Sequence, residues 1–288
     1  MAEYPWPETG LHTRRWGASE APRANPVTFG HCPFSIAEGP PGTSVNLNAI
    51  GSEMRTMGFE KEIFFRNRGT ISISEQRKLT SVVVGIIGLG GTGGFAIESL
   101  ARCGVNSFVL FDFDRFELSN FNRQLLATLP AVDMEKTEVA AVRLKSINLD
   151  ANVVVYPGKF VSSDFKKLSS CDIVLDCSDN IEAHIAVSDA CGKLKIPFVF
   201  CSASNASGMC SVVHPQISFR KLMQLPKNKS MLRQYNKCTS IIAPTVALSG
   251  TLAASQAINF VLGKQYARAP EFIFFDLFKK EILWKKRL

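Results

Sequence analysis

Between Val82 and Lys136 the chain gathers residue types suited to holding a polyphosphate. They are Gly88, Gly90, Gly91 and Gly93, then Asp112, then Asn120, Asn122, Arg123 and Gln124, then Lys136. Glycine has no Cβ, so its backbone can turn sharply and approach a phosphate closely. Arginine is a planar fork of donors, lysine a point charge, and the amides donate further hydrogen bonds. An aspartate at this place can accept hydrogen bonds from ribose hydroxyls. The glycine triplet Gly88-x-Gly90-x-x-Gly93 on its own would equally serve tight helix–sheet packing. The polar cluster after the acid decides the reading, because an ordinary dinucleotide site has no need of it.

The elements around these residues are those that would position them. VVVGII is a short apolar β-branched run, the glycines make a turn, AIESLARCG has helical spacing and stops at Gly104, and FVLFD ends in Asp112. Strand, glycine turn, helix, strand and terminal acid is the order of a nucleotide-binding βαβ unit. The helix after such a turn aims free N–H groups and its positive dipole end at the phosphate. Downstream, MEKTEVAAVRLKSINLD predicts a helix with Lys136 near its start, and NVVVYPGKF a strand. SSCDIVLDCSDN predicts a buried strand, IVLD, leading into Asp176 and Asp179. Carboxylates at such strand ends point into the cleft of a parallel sheet. A plain helix N-cap is the structural alternative for Asp179. His184 falls inside the following helix and reads as structural.

GLGGTGG, DFD, LSNFNRQ, the following lysine and DIVLDCSDN, in this order, resemble the ubiquitin-activating enzyme superfamily, in its ThiF/MoeB/HesA-type adenylyltransferase branch. The resemblance runs from about Arg66 to Gly263. It implies an α/β fold: a three-layer Rossmann-like domain with a mostly parallel central sheet and antiparallel C-terminal strands. It also implies ATP and Mg²⁺ as cofactors, with Asp112 on the ribose and Asn120, Arg123 and Gln124 on phosphates. Lys136 would stabilise the reacting phosphoryl group and Asp179 would position Mg²⁺. The upstream segment departs from the family's arginine motif. Arg66 is its best match, with Arg68 as rival, and would reach the phosphates, often from the other subunit of a homodimer. Cys238 matches a position some relatives use for a covalent thioester or persulfide intermediate. The implied reaction is adenylation of a carboxylate, such as the C-terminal glycine of a ubiquitin-like or sulfur-carrier protein, or a ribosomal peptide. A carboxylate on modified tRNA and a catalytically silent nucleotide-binding partner are the alternatives. A dehydrogenase is disfavoured for want of a hydride-transfer acid–base pair.

The rest of the chain sets bounds. Its 288 residues suffice for one large α/β domain, and 46% apolar content fits a globular protein. No apolar run is long enough to span a membrane and no secretory signal is visible at Met-Ala-Glu-Tyr-Pro, so a cytoplasmic protein without a membrane partner is expected. The net charge of +8 concentrates towards the C-terminus and suits an acidic protein partner or RNA. Eight cysteines occur without a CxxC pair, so no structural zinc is expected. Residues 1–60, rich in proline and lacking periodicity, read as an irregular arm ahead of an adenylation domain over 61–288. The basic stretch at about 216–238 matches the family's crossover loop. Ser202–Gly208 is a run of small residues that leaves room for a ligand or packs under a neighbour. IIAPTVALSGTLAASQAINFVLGK predicts a helix ending at Gly263, and EFIFFDLFKKEILWKKRL one or two terminal strands.

Overall fold

The computed structural model describes residues 63–232 and 240–288. The expected 1–60 arm, Cys238 and the end of the crossover stretch lie outside the described residues.

A first helix, α1 (Ile73–Ser81), starts at a capping box: the Ser72 side chain accepts from the Glu75 N–H, and the Glu75 carboxylate accepts from the Ser72 N–H. It leads into β1 (Val83–Ile87), whose β-branched run suits a buried strand. The glycine turn then opens α2 (Gly91–Arg102), and Gly104, at φ 101°, turns the chain into β2 (Ser107–Asp112). A loop with two 3₁₀ turns, Leu118–Asn120 and Leu129–Ala131, precedes α3 (Lys136–Ile147) and β3 (Asn152–Pro157). Then come β4 (Ile173–Asp176) and α4 (Ile181–Leu194), followed by β5 (Phe198–Ser204) and β6 (Ser207–Val213). Two single-turn helices follow, and then α5 (Ala243–Leu262), which ends on Gly263 in the left-handed region. The chain finishes with β7 (Glu271–Asp276) and β8 (Leu283–Arg287).

The strands form one eight-stranded sheet in the order β3-β2-β1-β4-β5-β6-β7-β8. The first five are parallel and the last three antiparallel, as the resemblance implies. Alternation along β2 shows how the sheet is covered. Phe108 and Leu110 pack into the core under α2, α3 and α5, while Val109 and Phe111 pack into the core under α4. From β1 the chain winds outward through β2 and β3, then returns to place β4 on the other side of β1. That reversal leaves a crevice above the carboxyl ends of β1 and β4, where ligands bind in open α/β sheets.

One sequence expectation is corrected. Ala243–Leu262 is long and apolar enough to cross a membrane by length and composition alone. Its place in the fold explains the composition. Thr245, Ser249, Gly250 and Gln256 are buried, and Gly250 lies so close to the Thr92 carbonyl of α2 that a Cβ would collide with it. The apolar and small residues of α5 are there to pack against α2 and the sheet. The small residues of β5 and β6 have a similar explanation at one position, since a Cβ on Gly208 would come within 2.6 Å of the Ser202 carbonyl.

Candidate functional site

The glycines lie at the carboxyl end of β1. Gly88 has φ 91°, and a Cβ there would come within 2.7 Å of the Cys177 carbonyl; a Cβ on Gly93 would collide with the Gly88 carbonyl. These two positions therefore need glycine for the turn and for its contact with the end of β4. Gly90 is the cap of α2 but has no side chain to bond the helix's first N–H groups, and Gly91 is the first helical residue. The start of α2 is thus left for an anion.

Asp112, at the end of β2, is 8% exposed. Its Oδ2 accepts from the Leu89 N–H at 2.6 Å and its Oδ1 from the Asp114 N–H at 2.8 Å. Burial pushes its carboxyl above the ordinary aspartate value, against the opposing charge of Lys136 and these two N–H donors. Lys136 is the first residue of α3, 4% exposed, and its Nζ lies 2.9 Å from Asp114 Oδ2. The Lys136 N–H also donates to the Asp114 carbonyl, so α3 begins on the segment that leaves β2. Asp114, the last residue of the DFD motif, is a partner the motif alone does not reveal; its side chain is 46% exposed and faces the lysine. The signal that would have found it is that a buried ammonium needs an acid.

The polar cluster divides. Asn120 folds back on its own turn, its Oδ1 accepting from the Glu117 N–H and its Nδ2 donating to Ser119 Oγ, so it shapes the loop. Arg123 Nη1 donates to the Ser119 carbonyl at 2.9 Å and to Asn122 Oδ1 at 2.8 Å. Gln124 is buried against Gly90, and its Oε1 has no hydrogen-bond partner among the described residues. The orphaned Oε1 is an acceptor that a nucleotide hydroxyl or amino group can satisfy, while the donor Nε2 faces Gly90 on the glycine turn. ATP fits this cradle.

Asp179 is exposed on the turn between β4 and α4, its Oδ1 accepting from Asn180 Nδ2 at 3.3 Å. The helix cap belongs to Asn180, whose Oδ1 accepts from the Ala183 N–H at 2.9 Å. The capping alternative for Asp179 is therefore corrected, and its carboxylate remains turned to solvent. No cluster of three or more His, Cys, Asp or Glu able to cage a metal occurs among the described residues. A single accessible carboxylate is nevertheless what Mg²⁺ needs when phosphates supply the other ligands.

Behind Asp179, Asp176 is wholly buried. Its Oδ2 pairs with His184 Nδ1 at 2.8 Å, and its Oδ1 accepts from Ser178 Oγ at 2.6 Å. Sequence reading placed Asp176 in the cleft; the fold turns it inward.

Arg66 is not brought to this site. It sits exposed on a 3₁₀ turn, Phe65–Asn67, and the neighbouring Asn67 reaches the Cys103 carbonyl at the far end of α2. Twelve helical residues, about 18 Å, separate that end from the glycine turn.

A family model described as the ThiF family matches residues 64–287. The chain is 34% identical over 197 residues to the sulfur carrier protein ThiS adenylyltransferase of Escherichia coli (strain K12), covering 67% of this chain and 77% of that protein. It is 31% identical over 217 residues to the molybdopterin-synthase adenylyltransferase of Haemophilus influenzae, covering 72% and 85%. Among solved structures, E. coli MccB with MccA-N7isoASN superposes with a TM-score of 0.66 at 21% identity, covering 79% of this chain and 71% of that chain, a likeness of fold.

Proposed function

From the premise that the chain belongs to the ThiF family, and is an ATP-dependent adenylyltransferase of the ubiquitin-like modifier-activating type, we propose that it activates the C-terminal carboxylate of a small sulfur-carrier or ubiquitin-like protein. The observation that supports this most is the buried Lys136 ammonium held by Asp114 beside the open start of α2, with Asp179 exposed on the adjoining strand end.

In the proposed reaction a carboxylate oxygen attacks the α-phosphorus of ATP. A carboxylate–phosphorus bond forms, the bond to the β-phosphate oxygen breaks, and pyrophosphate leaves with the electron pair. Charge grows on the phosphoryl and leaving oxygens, so preorganised donors supply most of the catalysis. Lys136 and the N–H groups opening α2 face that charge, Gln124 and Arg123 hold phosphate oxygens, and Asp112 orders the ribose side of the turn. Asp179 would hold Mg²⁺, which when bound neutralises phosphate charge. Arg123 swings to the ligand from its present bonds to Ser119 and Asn122.

The carrier is favoured because the relatives named above include an adenylyltransferase of the carrier ThiS. The +8 charge and the exposed Phe278, with Lys279 and Lys280 beside it, suit an acidic protein with an apolar patch. We place the reaction in the cytoplasm. A homodimer belongs to the same reading. Arg66 lies an α2 length from its own site, and Phe113, Leu118 and Leu129 are exposed on the loop that carries Arg123. Sedimentation showing only monomer during turnover would remove the dimer from it.

The deciding experiment is ATP–pyrophosphate exchange with Mg²⁺, run with separate carrier proteins, ribosomal peptides and tRNA. Exchange that depends on a carrier protein is expected. Exchange that depends on peptide or tRNA alone would overturn the substrate assignment while keeping the adenylation. ATP binding with no exchange under any condition would favour a silent partner.

A further inference from the structure

We propose that His184 is a positioning residue for adenylation: with Asp176 and Ser178 it forms a buried clamp that holds the turn bearing Asp179 in place over the phosphate cradle. The inference rests on the reading of Asp179 as the Mg²⁺-side carboxylate.

All three members of the clamp meet at one carboxylate. Asp176 is the last residue of β4 and has no exposed surface. Its Oδ2 accepts from His184 Nδ1 at 2.8 Å. Its Oδ1 accepts from Ser178 Oγ at 2.6 Å and from the Ser178 N–H at 3.3 Å. Ser178 Oγ also lies 3.1 Å from His184 Nδ1, closing the triangle. The imidazole is 6% exposed and wedged edge-on to Phe200, with ring centroids 4.9 Å apart. It has little freedom to leave.

The placement of these bonds gives them a functional meaning. Ser178 stands immediately before Asp179 in the chain. His184 stands in the helix that follows it, and Asn180 caps that helix. The clamp therefore pins the chain on both sides of Asp179 and leaves that carboxylate outside it. Across the turn, the Cys177 carbonyl rests against Gly88, too close for a Cβ to fit between them. A shift of the turn is thus a shift of Asp179 relative to the glycines. A histidine kept only to fill the core would need no carboxylate. Burying an ionisable acid with two polar partners is costly compared with apolar packing, and such networks are retained where they fix one conformation.

Three variants test the clamp. His184→Ala removes the donor. His184→Asn returns an amide donor near the Nδ1 position. Ser178→Ala removes the second donor with little loss of volume. Pyrophosphate exchange is measured per folded molecule, together with Mn²⁺ binding by EPR in the presence of a non-hydrolysable ATP analogue. Asp179→Asn serves as the reference. For His184→Ala we expect a kcat lower by about 10- to 100-fold, since misplacement of about an ångström costs that much. We expect Mn²⁺ affinity to fall by roughly tenfold, with analogue affinity changed by less than about twofold. His184→Asn should recover most of both losses, and Ser178→Ala should weaken Mn²⁺ binding severalfold. If His184→Ala does not fold, the Asn and Ser178 variants carry the test. Unchanged Mn²⁺ affinity and kcat in folded His184→Ala, or in Ser178→Ala, would overturn the clamp. If Asp179→Asn itself leaves exchange and Mn²⁺ binding intact, the reading of Asp179 fails first, and the proposal with it.

Discussion

Two strands of the sheet, β2 and β4, each end in a buried aspartate with an accessible carboxylate close behind. The first pair is Asp112 and Asp114, the second Asp176 and Asp179. In both, the buried acid spends its oxygens on shaping the turn: Asp112 on the N–H groups of Leu89 and Asp114, Asp176 on Ser178 and His184. The difference lies in what stands opposite. Asp112 and Asp114 share a buried ammonium, Lys136, next to the open helix start, whereas Asp176 faces an imidazole in a ring of phenylalanines. The comparison teaches that the buried acid sets the geometry of each turn, while the accessible one holds a lysine in the first pair and stays turned to solvent in the second. On the proposed reading, the electrostatic work falls to the pair that carries the lysine.

The sharpest way to break this division is Lys136→Met, which keeps an apolar stem against Phe116 and removes the charge. Loss of one preorganised donor to developing negative charge costs about 10²- to 10³-fold in kcat. That loss is expected in pyrophosphate exchange while thermal unfolding shows a folded protein. Normal exchange in this variant would remove Lys136 from the chemistry.

Next comes the contrast between the two acids of β4. Asp176→Ala leaves His184 Nδ1 and Ser178 Oγ without their buried acceptor, at about 1–3 kcal/mol for each unsatisfied group, so the Tm should fall. Asp179→Asn, on an exposed carboxylate, should leave the Tm within a few degrees and abolish most exchange. Reversed results, with Asp176 tolerant and Asp179 structural, would invert the division.

The smallest expected effect is in pH dependence. The carboxyl of Asp112 is held above the ordinary aspartate value by burial. Its contribution to stability is therefore present at low pH and lost as pH rises through the folded value, so its ionisation opposes folding near neutrality. Its ionised form shapes the turn, and on acidification that form is lost earlier than for a free aspartate. Nucleotide affinity followed downward from neutral pH should begin to fall above the ordinary aspartate range. A midpoint at or below that range would mean that Asp112 does not govern the turn.

Much of this was legible in the sequence, for reasons that are local. The glycine turn, the β-branched run before it and the acid ending β2 are written in neighbouring residues. Backbone freedom at Gly88 and alternation along FVLFD need no knowledge of distant chain. The same holds for the Lys136 helix and for Gly263 closing α5. The fate of individual polar groups was not legible. Asn120 and Asn122 carry the same chemistry two positions apart, yet Asn120 folds back on its own turn while Asn122 Nδ2 reaches the Ile241 carbonyl across the chain. The helix over Ala243–Leu262 and its small residues were legible too, but not that Gly250 would rest against the Thr92 carbonyl of α2.

By itself, then, the sequence determined the βαβ unit, the strand-ending acids and the residue types suited to phosphate, because short-range sterics and periodicity fix the elements that carry them. Tertiary structure alone decided that Asp176 turns inward to His184 and that Asp114 meets a lysine 22 positions on. It also decided that Arg66 stands at the opposite end of α2. These depend on which strands become neighbours and on which side chains lose access to water. That outcome follows from packing the whole sheet between its two helical layers, and no single stretch of the chain contains it.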